Sequence, residues 1–235
     1  MGKPDIIYED NDIIVCYKPA GIATQTRRIG QQDMESFIRN YRAAKNEPPY
    51  VGIVHRLDQP VEGVMVFAKN QKAAASLSRQ IKEHTTEKYY HAASRGHGVS
   101  GADNKEDNHD PAWHTLTDYI SFDKRTNTSK ITSEKDRLAK KAVLQYRILS
   151  NECNKTEFDI KLLTGRHHQI RLQLANIGYP LIGDTKYGKP DSNNSGMGSK
   201  SGRTGSCVRE QLALCSYKIV FDHPATGERM TFELP

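Results

Sequence analysis

The sequence predicts an α+β fold with a largely antiparallel mixed sheet. Strand-like segments cluster with few helices between them, and strands and helices do not alternate as parallel crossover units require. Size agrees, because 235 residues with 36% hydrophobic and 26% charged residues suffice for one large globular domain. No internal repeat or clean linker divides the chain, so we expect a single domain over residues 1–235.

The N-terminal half alternates short strands with two helices. The stretch IIYEDNDIIVCYKPAG at 6–21 is typical of two strands around a polar turn. A helix is predicted from Asp33 because apolar residues recur at helical spacing. They are Met34, Phe37, Ile38 and Tyr41. A strand, a turn and a second strand are predicted over 50–68, Asn70 is positioned to cap the next helix, and KYYHAAS at 88–94 is predicted as a strand.

The C-terminal half contains two polar segments that we expect to be surface loops, at 95–112 and 188–206. The remaining elements follow in order as strands HTLTDYIS, KKAVLQYRIL and TEFDIKLL, helix RHHQIRLQLANIG, and strands LALCSYKIVFD and RMTFELP. Gly178 stands where the helix needs a C-terminal cap.

Charge and cysteine usage limit the class of protein. A net charge of +6 favours a polyanionic partner, although a merely soluble basic surface is the alternative. The four cysteines form no CxxC pair, which indicates free thiols in a reducing compartment. No signal peptide or membrane-spanning run is present, so we expect a cytoplasmic protein.

Two glycine-rich strings match nucleotide-binding spacings but lack their context. GHGVSG at 96–101 does not open an amphipathic helix, and GDTKYGKP at 183–190 has Pro190 where a phosphate-binding loop needs Ser or Thr. The histidines His97, His109 and His114 form no zinc pattern. We therefore predict no nucleotide cofactor and no metal.

Two polar clusters are candidates for chemistry. In HRLDQPVEG at 55–63, Asp58 follows an apolar run at a point where the chain reverses, a position that suits either a catalytic carboxylate or an aspartate capping its own turn. In TGRHHQIR at 164–171, a group of basic and polar side chains is predicted at the start of one helix, where backbone donors already favour anions. An arginine of this group is positioned to keep Asp58 ionised by pairing with it, whereas taken alone the group is equally an ordinary solvated basic face.

Five ordered segments together resemble the RluA-type pseudouridine synthases, which isomerise uridine in RNA. HRLDQPVEG is similar to the family's HRLDxxTSG motif, EKYYHA to its K-x-Y-x-A strand, and LLTGRHHQIRLQLANIGYPLIGDTKYG to its long TGRxHQIR signature. The opening EDNDIIVCYKPAG and the closing LALCSYKIVFDHPATGE also match in order. The resemblance implies a bent sheet with flanking helices and two lobes around a central basic cleft.

The resemblance also implies roles for individual residues. Asp58 takes the position of the essential aspartate, Tyr90 that of the tyrosine that stacks on the target base, and Arg171 that of the basic residue that pairs with the aspartate. Arg56 matches an arginine that fills the gap left by the flipped nucleotide. The other expected substrate-binding residues are His55, Arg166, His168 and Gln169.

The chemistry that the resemblance implies needs no cofactor, because no redox change occurs. Uracil is detached from C1′, turned and rejoined through C5, and a carboxylate can either attack C1′ or abstract the 2′ proton. A non-catalytic RNA-binding protein with the same fold is the alternative function, and hydrolysis of free nucleosides is disfavoured by the basic charge. We expect ribosomal or transfer RNA as the partner and a monomer.

The chain departs from the family pattern at three places. Val61 and Glu62 replace the usual Thr-Ser, and His167 replaces the threonine of TGRTHQ, which adds a hydrogen-bond donor. The pattern starts near Ile6, so the family's N-terminal RNA-binding domain is expected to be absent. The basic stretch at 124–141 is a candidate RNA contact or a solvated hairpin.

Overall fold

Eleven strands and three helices make up the described part of the chain. The computed structural model describes residues 4–26, 28, 30–95, 110–152, 154–188 and 210–235. The strands are β1 (Asp5–Glu9), β2 (Ile13–Lys18), β3 (Gly52–Ile53), β4 (Glu62–Ala68), β5 (Glu87–Arg95), β6 (Asp110–Asp123), β7 (Thr128–Thr132), β8 (Lys140–Glu152), β9 (Lys155–Leu162), β10 (Leu214–Asp222) and β11 (Arg229–Glu233). The helices are α1 (Met34–Ala44), α2 (Gln71–Lys82) and α3 (Gln169–Asn176).

All of these strands belong to one mixed sheet. The order is β1-β2-β4-β10-β5-β9-β8-β6-β7, with β3 paired to β4 and β11 to β10. Within the described ranges the only parallel pair is β4 with β10, and every other pair is antiparallel. The predicted α+β class with a mostly antiparallel mixed sheet is confirmed.

The parallel contact between β4 and β10 requires a glycine. Gly63 has φ of +137°, and a Cβ placed on it would lie 2.3 Å from the carbonyl oxygen of Ser216. Only a residue without a side chain allows the two backbones to approach this closely. Gly63 therefore joins the hairpin that carries Asp58 to the centre of the sheet.

The helices begin where the sequence predicts. Asp33 caps α1 and forms a reciprocal capping box with Ser36, and the Asn70 side chain accepts a hydrogen bond from the amide of Ala73 at the start of α2. Helix α3 ends before Gly178, whose φ of +91° is the left-handed conformation expected there.

Alternation along the central strands separates two hydrophobic clusters, one on each face of the sheet. Ile14 of β2 belongs to the cluster that α1 and α3 cover, through Met34 and Ile170. Ile13 belongs to the other cluster, which α2 covers through Leu77. The residues around Asp58 lie on the first of these faces, so α3 is brought to the same side of the sheet as the aspartate.

Three local predictions need correction. The first strand predicted within 50–68 is only the two residues of β3, because the ring of His55 accepts from the amide of Val66 in place of a backbone carbonyl. The stretch 124–141 contains β7, which pairs with β6 and agrees with the hairpin alternative for this stretch. Arg166 to His168 precede α3 instead of starting it, and residues 110–112 of the predicted 95–112 loop belong to β6. The rest of that loop from 96, like most of 188–206, lies outside the described residues, as do His97 and His109.

None of the three helices is both long enough and apolar enough to cross a membrane.

Candidate active site

A cleft with a volume of about 920 Å³ opens on the face of the sheet that carries α3. All eight residues predicted for the site contribute to its lining: His55, Arg56, Asp58, Tyr90, Arg166, His168, Gln169 and Arg171. Among the described lining residues, five side chains are cationic and only Glu35 and Asp58 are acidic. The folded chain thus brings the two sequence clusters, about a hundred residues apart, to one basic cleft.

Asp58 is held by the backbone of the turn that follows it. The amide of Val61 donates to the Asp58 carbonyl, at 3.0 Å, which closes a four-residue turn. Beneath this turn the fully buried Lys18 ammonium donates to three carbonyls, those of Pro19, Ile22 and Gln59, at 3.1, 2.7 and 3.2 Å. Each ammonium N–H has an acceptor, so Lys18 locks the 19–22 loop to the aspartate's turn.

Burial lowers the pKa of Lys18 to about 8, although the carboxylates of Asp58 and Glu62 oppose this shift.

The Asp58 side chain is 32% exposed, so it is reachable from the cleft. On its N-terminal side, Thr24 fixes Leu57 in both directions, because its hydroxyl donates to the Leu57 carbonyl and accepts from the Leu57 amide.

His55 supports the wall of the cleft. Its Nε2 accepts a hydrogen bond from the amide of Val66, at 3.0 Å, so the ring must be neutral at that nitrogen. Burial, together with the nearby Lys88 charge, lowers the pKa of His55 to about 3. The structure therefore assigns His55 a hydrogen bond to β4, and its predicted contact with substrate stays a prediction.

Tyr90 and Lys88 project from the same face of β5 because they are two residues apart. Burial is the main cause that raises the pKa of Tyr90, so the side chain is a neutral phenol. Burial also lowers the pKa of Lys88. Lys88 lines the cleft but is absent from the predicted site, although its position in the strand motif was visible in the sequence.

The segment before α3 forms a tight turn that presents His168 to the cleft. His168 has φ of +54°, a left-handed conformation that is uncommon for residues other than glycine. Gln169 shapes the turn, since its Oε1 accepts from the Thr164 hydroxyl and the Arg166 amide at 2.8 and 3.0 Å. Nε2 of His168 lies 3.6 Å from Oδ2 of Asp58.

Arg171 has a different partner from the one that the resemblance implies. Its guanidinium makes two hydrogen bonds, of 2.8 and 2.6 Å, to the carboxylate of Asp184, and both side chains are almost fully buried. Among the described residues the ionisable group within 4 Å of Asp58 is His168 instead. Arg171 pairs with Asp184 because the amides of Lys186 and Tyr187 hold Oδ1 of Asp184 in a turn beside α3.

Both the sequence and the fold of the chain are similar to those of known proteins. A family model described as RNA pseudouridylate synthase matches residues 12–176, well over half of the chain. The chain belongs to this family. The match covers Asp58, Tyr90 and Arg171, and it ends before β10.

Individual relatives of the pseudouridylate synthase family agree. RNA pseudouridine synthase YhcT of Bacillus subtilis is 31% identical over all of this chain and 69% of its own length. Ribosomal large subunit pseudouridine synthase D of Borreliella burgdorferi is 32% identical over 92% of this chain and 60% of its own length. The chain thus spans 60% to 69% of the length of these two relatives.

Solved structures give the same fold. Human RNA pseudouridylate synthase domain containing 4 superposes with a TM-score of 0.71 at 20% identity, over 98% of this chain and 88% of that one. Human RNA pseudouridylate synthase domain containing 1 gives a TM-score of 0.69 at 22% identity. The pseudouridylate synthase fold that the sequence predicts is confirmed.

The departures from the family motif now have structural explanations. Val61 lines the cleft, whereas Glu62 points to a separate cavity of about 360 Å³ on the other side of the hairpin. There the Glu62 carboxylate accepts hydrogen bonds from Tyr17 and Gln211 at 2.8 and 3.2 Å. The added negative charge therefore does not enter the cleft that contains Asp58.

Outside the cleft, two aspartates and one histidine are close enough together to hold a metal ion. Asp10, Asp12 and His223 place their ligand atoms close together. However, Nδ1 of His223 accepts from the amide of Thr226, so its proton is on Nε2 and donates to Asp10 at 2.9 Å. The cluster is thus a hydrogen-bonded junction between two turns.

Proposed function

We propose that the chain converts uridine in RNA to pseudouridine and that Asp58 is its catalytic carboxylate. The main support for this proposal is that three parts of the chain line one basic cleft. They are the turn that contains Asp58, the strand that contains Tyr90 and the segment before α3. Family membership makes uridine isomerisation the expected reaction. A partly exposed carboxylate at the bottom of a positively charged cleft suits a reaction at the ribose of a polyanion.

The lining residues divide the work. Asp58 supplies the carboxylate that reacts at C1′ or removes the 2′ proton. Tyr90, buried and neutral, presents an aromatic ring on which an extruded uracil stacks. Arg56, whose side chain is exposed at the mouth of the cleft, occupies the space that the base leaves in the RNA.

The RNA backbone is bound by the cleft and by the β6–β7 hairpin beside it. The exposed residues Lys124, Arg125 and Lys130 of this hairpin offer cations to phosphates. Phe122 is 40% exposed and its ring lies 4.3 Å from that of His167, which makes a stacking platform for an unpaired base.

Large-subunit ribosomal RNA is the substrate that we propose. Several relatives at about 30% identity are named ribosomal large subunit pseudouridine synthase D. We also propose that the protein is a cytoplasmic monomer. It uses no metal or organic cofactor, since the reaction involves no redox step.

The direct test is tritium release from RNA labelled at uridine C5. Wild type and Asp58→Asn would be incubated separately with large-subunit ribosomal RNA and with transfer RNA. Release by wild type and none by Asp58→Asn supports the isomerase and its carboxylate, and the responding RNA identifies the substrate class. Tight RNA binding without release from either pool would favour a non-catalytic RNA-binding protein.

A further inference from the structure

Two hydrogen bonds and one longer polar contact connect the backbone of β7 to Asp58. The amide of Ser129 donates to the Tyr187 hydroxyl oxygen, at 2.8 Å, and this hydroxyl lies 2.8 Å from Nδ1 of His168. The other ring nitrogen, Nε2, faces Oδ2 of Asp58 at 3.6 Å. His168 thus stands between a tyrosine and the carboxylate.

Both neighbours of His168 favour the same tautomer. Because the Tyr187 oxygen already accepts from Ser129, its own hydrogen is available to donate to Nδ1. A nitrogen lone pair facing a carboxylate at Nε2 would be repulsive, whereas an N–H there is attracted. The proton of a neutral ring therefore belongs on Nε2, directed at Asp58.

His168 also stays neutral. Burial and the charge of Arg171 lower the pKa of His168 to about 3. The ring thus offers Asp58 a hydrogen-bond donor without a full positive charge, in contrast to the arginine that the resemblance places there.

The position of Tyr187 is fixed by the buried Arg171–Asp184 pair. Asp184 holds the amides of Lys186 and Tyr187, and the guanidinium of Arg171 lies 5.4 Å from the centre of the Tyr187 ring. Arg171 acts on this site through Asp184 and Tyr187. Along with Asp184, the nearby Asp58 charge also helps to raise the pKa of the Arg171 guanidinium. Arg171 is a positioning residue by this geometry.

We propose that His168 is the residue that orients the Asp58 carboxylate, through an Nε2–H bond to Oδ2 that Tyr187 and the backbone of Ser129 enforce. The proposal rests on the proposed function for the role of Asp58. At 3.6 Å the contact is longer than a hydrogen bond, and catalytic contacts of this kind often shorten only when substrate is bound. With Oδ2 held by His168, Oδ1 is left to face the ribose.

The tautomer is tested first, without reference to activity. Nitrogen-15 NMR of ring-labelled histidine in wild type should show His168 with a protonated Nε2 and an unprotonated Nδ1, unchanged down to about pH 4.5. In Tyr187→Phe the loss of the donor to Nδ1 should mix the two tautomers. A protonated Nδ1 in wild type, or a spectrum that Tyr187→Phe leaves unchanged, would overturn the proposal.

Two substitutions then separate orientation from folding. His168→Asn suits the left-handed backbone, because asparagine adopts it readily, but its amide is too short to reach Asp58. His168→Gln places an amide N–H near the position of Nε2. We expect kcat of His168→Asn to fall about 10-fold to 100-fold with KM for RNA unchanged, and His168→Gln to recover part of it.

The outcomes are distinguishable from failure of the proposed function. If wild type releases no tritium, the isomerase proposal fails while the NMR result still reports the hydrogen-bond chain. If wild type is active and His168→Asn has wild-type kcat with an unchanged melting temperature, His168 does not orient Asp58. A rise in KM alone would make His168 a contact for RNA and would also refute the proposal.

Discussion

At the residue scale, buried ionisable groups surround Asp58 and each has a distinct use. Lys18 donates its three N–H groups to carbonyls that shape the turn of Asp58. The acceptor nitrogen of His55 accepts a hydrogen bond from the backbone of β4. Neither side chain is free to react. Both residues therefore support the position of the aspartate, although the sequence predicts His55 as a substrate-binding residue and does not single out Lys18.

Replacing Lys18 should damage both stability and turnover. Lys18→Met leaves the carbonyls of Pro19, Ile22 and Gln59 without their buried donor, and a buried unsatisfied group costs about 1–3 kcal/mol. We expect the free energy of unfolding in urea to drop by roughly 3 kcal/mol and tritium release to fall with it. Lys72→Met, on the exposed face of α2, is the control and should change neither. Equal stability of the two variants would contradict this account of Lys18.

Neutral His55 makes stability sensitive to acid. Its folded-state pKa of about 3 lies below the ordinary value of 6.5, so the unfolded chain binds the extra proton between these values. Stability is complete above pH 6.5 and is lost as the pH falls toward 3, by at most about 1.4 kcal/mol per pH unit for one group. His55→Gln keeps an acceptor for Val66 but does not titrate, so its urea midpoint should fall less steeply between pH 6.5 and 4.5. Parallel curves for the two proteins would show that His55 is not buried in the neutral form.

At the element scale, α3 and the turn at 184–188 form one unit that is joined by a buried ion pair. The sequence predicts α3, its C-terminal glycine and the clustering of its polar residues near Asp58. It does not predict which aspartate takes Arg171, because Asp58 and Asp184 are equally suitable by residue type. It offers a hairpin over 124–141 as one alternative but does not give the bounds of β7, since TSKIT lacks apolar alternation and pairs with β6 through its backbone.

The Arg171–Asp184 pair should show strong coupling in a double-mutant cycle. Asp184→Asn leaves the Arg171 charge without its partner carboxylate in a buried site, which costs about 3–5 kcal/mol of unfolding free energy. Arg171→Met together with Asp184→Asn should recover part of this loss, because no isolated charge remains. Arg39 and Glu35, an i,i+4 pair on α1 with Arg39 half exposed, provide the control cycle, and we expect coupling below about 0.5 kcal/mol there. Additive effects at Arg171 and Asp184 would argue against the pair as the link between α3 and the turn.

At the scale of the whole molecule, the sheet presents a cationic cleft and a basic hairpin on the side of α3. The overall class and the family were predictable because local propensities and ordered motifs agree along the chain. The position of the hairpin relative to Asp58 was not, because it depends on the strand order, in which β7 lies at one edge and β4 near the other.

RNA affinity should lose salt dependence when the hairpin loses its charge. Each phosphate contact contributes about 0.7–0.9 to the slope of log K against log salt. The triple variant Lys124→Ala, Arg125→Ala and Lys130→Ala should therefore lower that slope by about 2 to 3 in binding measurements. Lys155→Ala, at the start of β9 and paired with Glu157, is a single-charge control with an expected slope close to wild type. A hairpin variant with an unchanged slope would place the phosphates elsewhere.

The strand order has a consequence for synthesis of the protein. Among the described strands, β10 is the one that joins β4 to β5, yet it begins at Leu214, long after β4 ends at Ala68. Until β10 has left the ribosome, the two parts of the sheet have no partner edge between them, and Asp58 and Tyr90 have no fixed separation. A nascent chain in which all of the proposed catalytic residues have left the ribosome should thus have no isomerase activity on the ribosomal RNA around it. That activity should begin only after β10 has been translated.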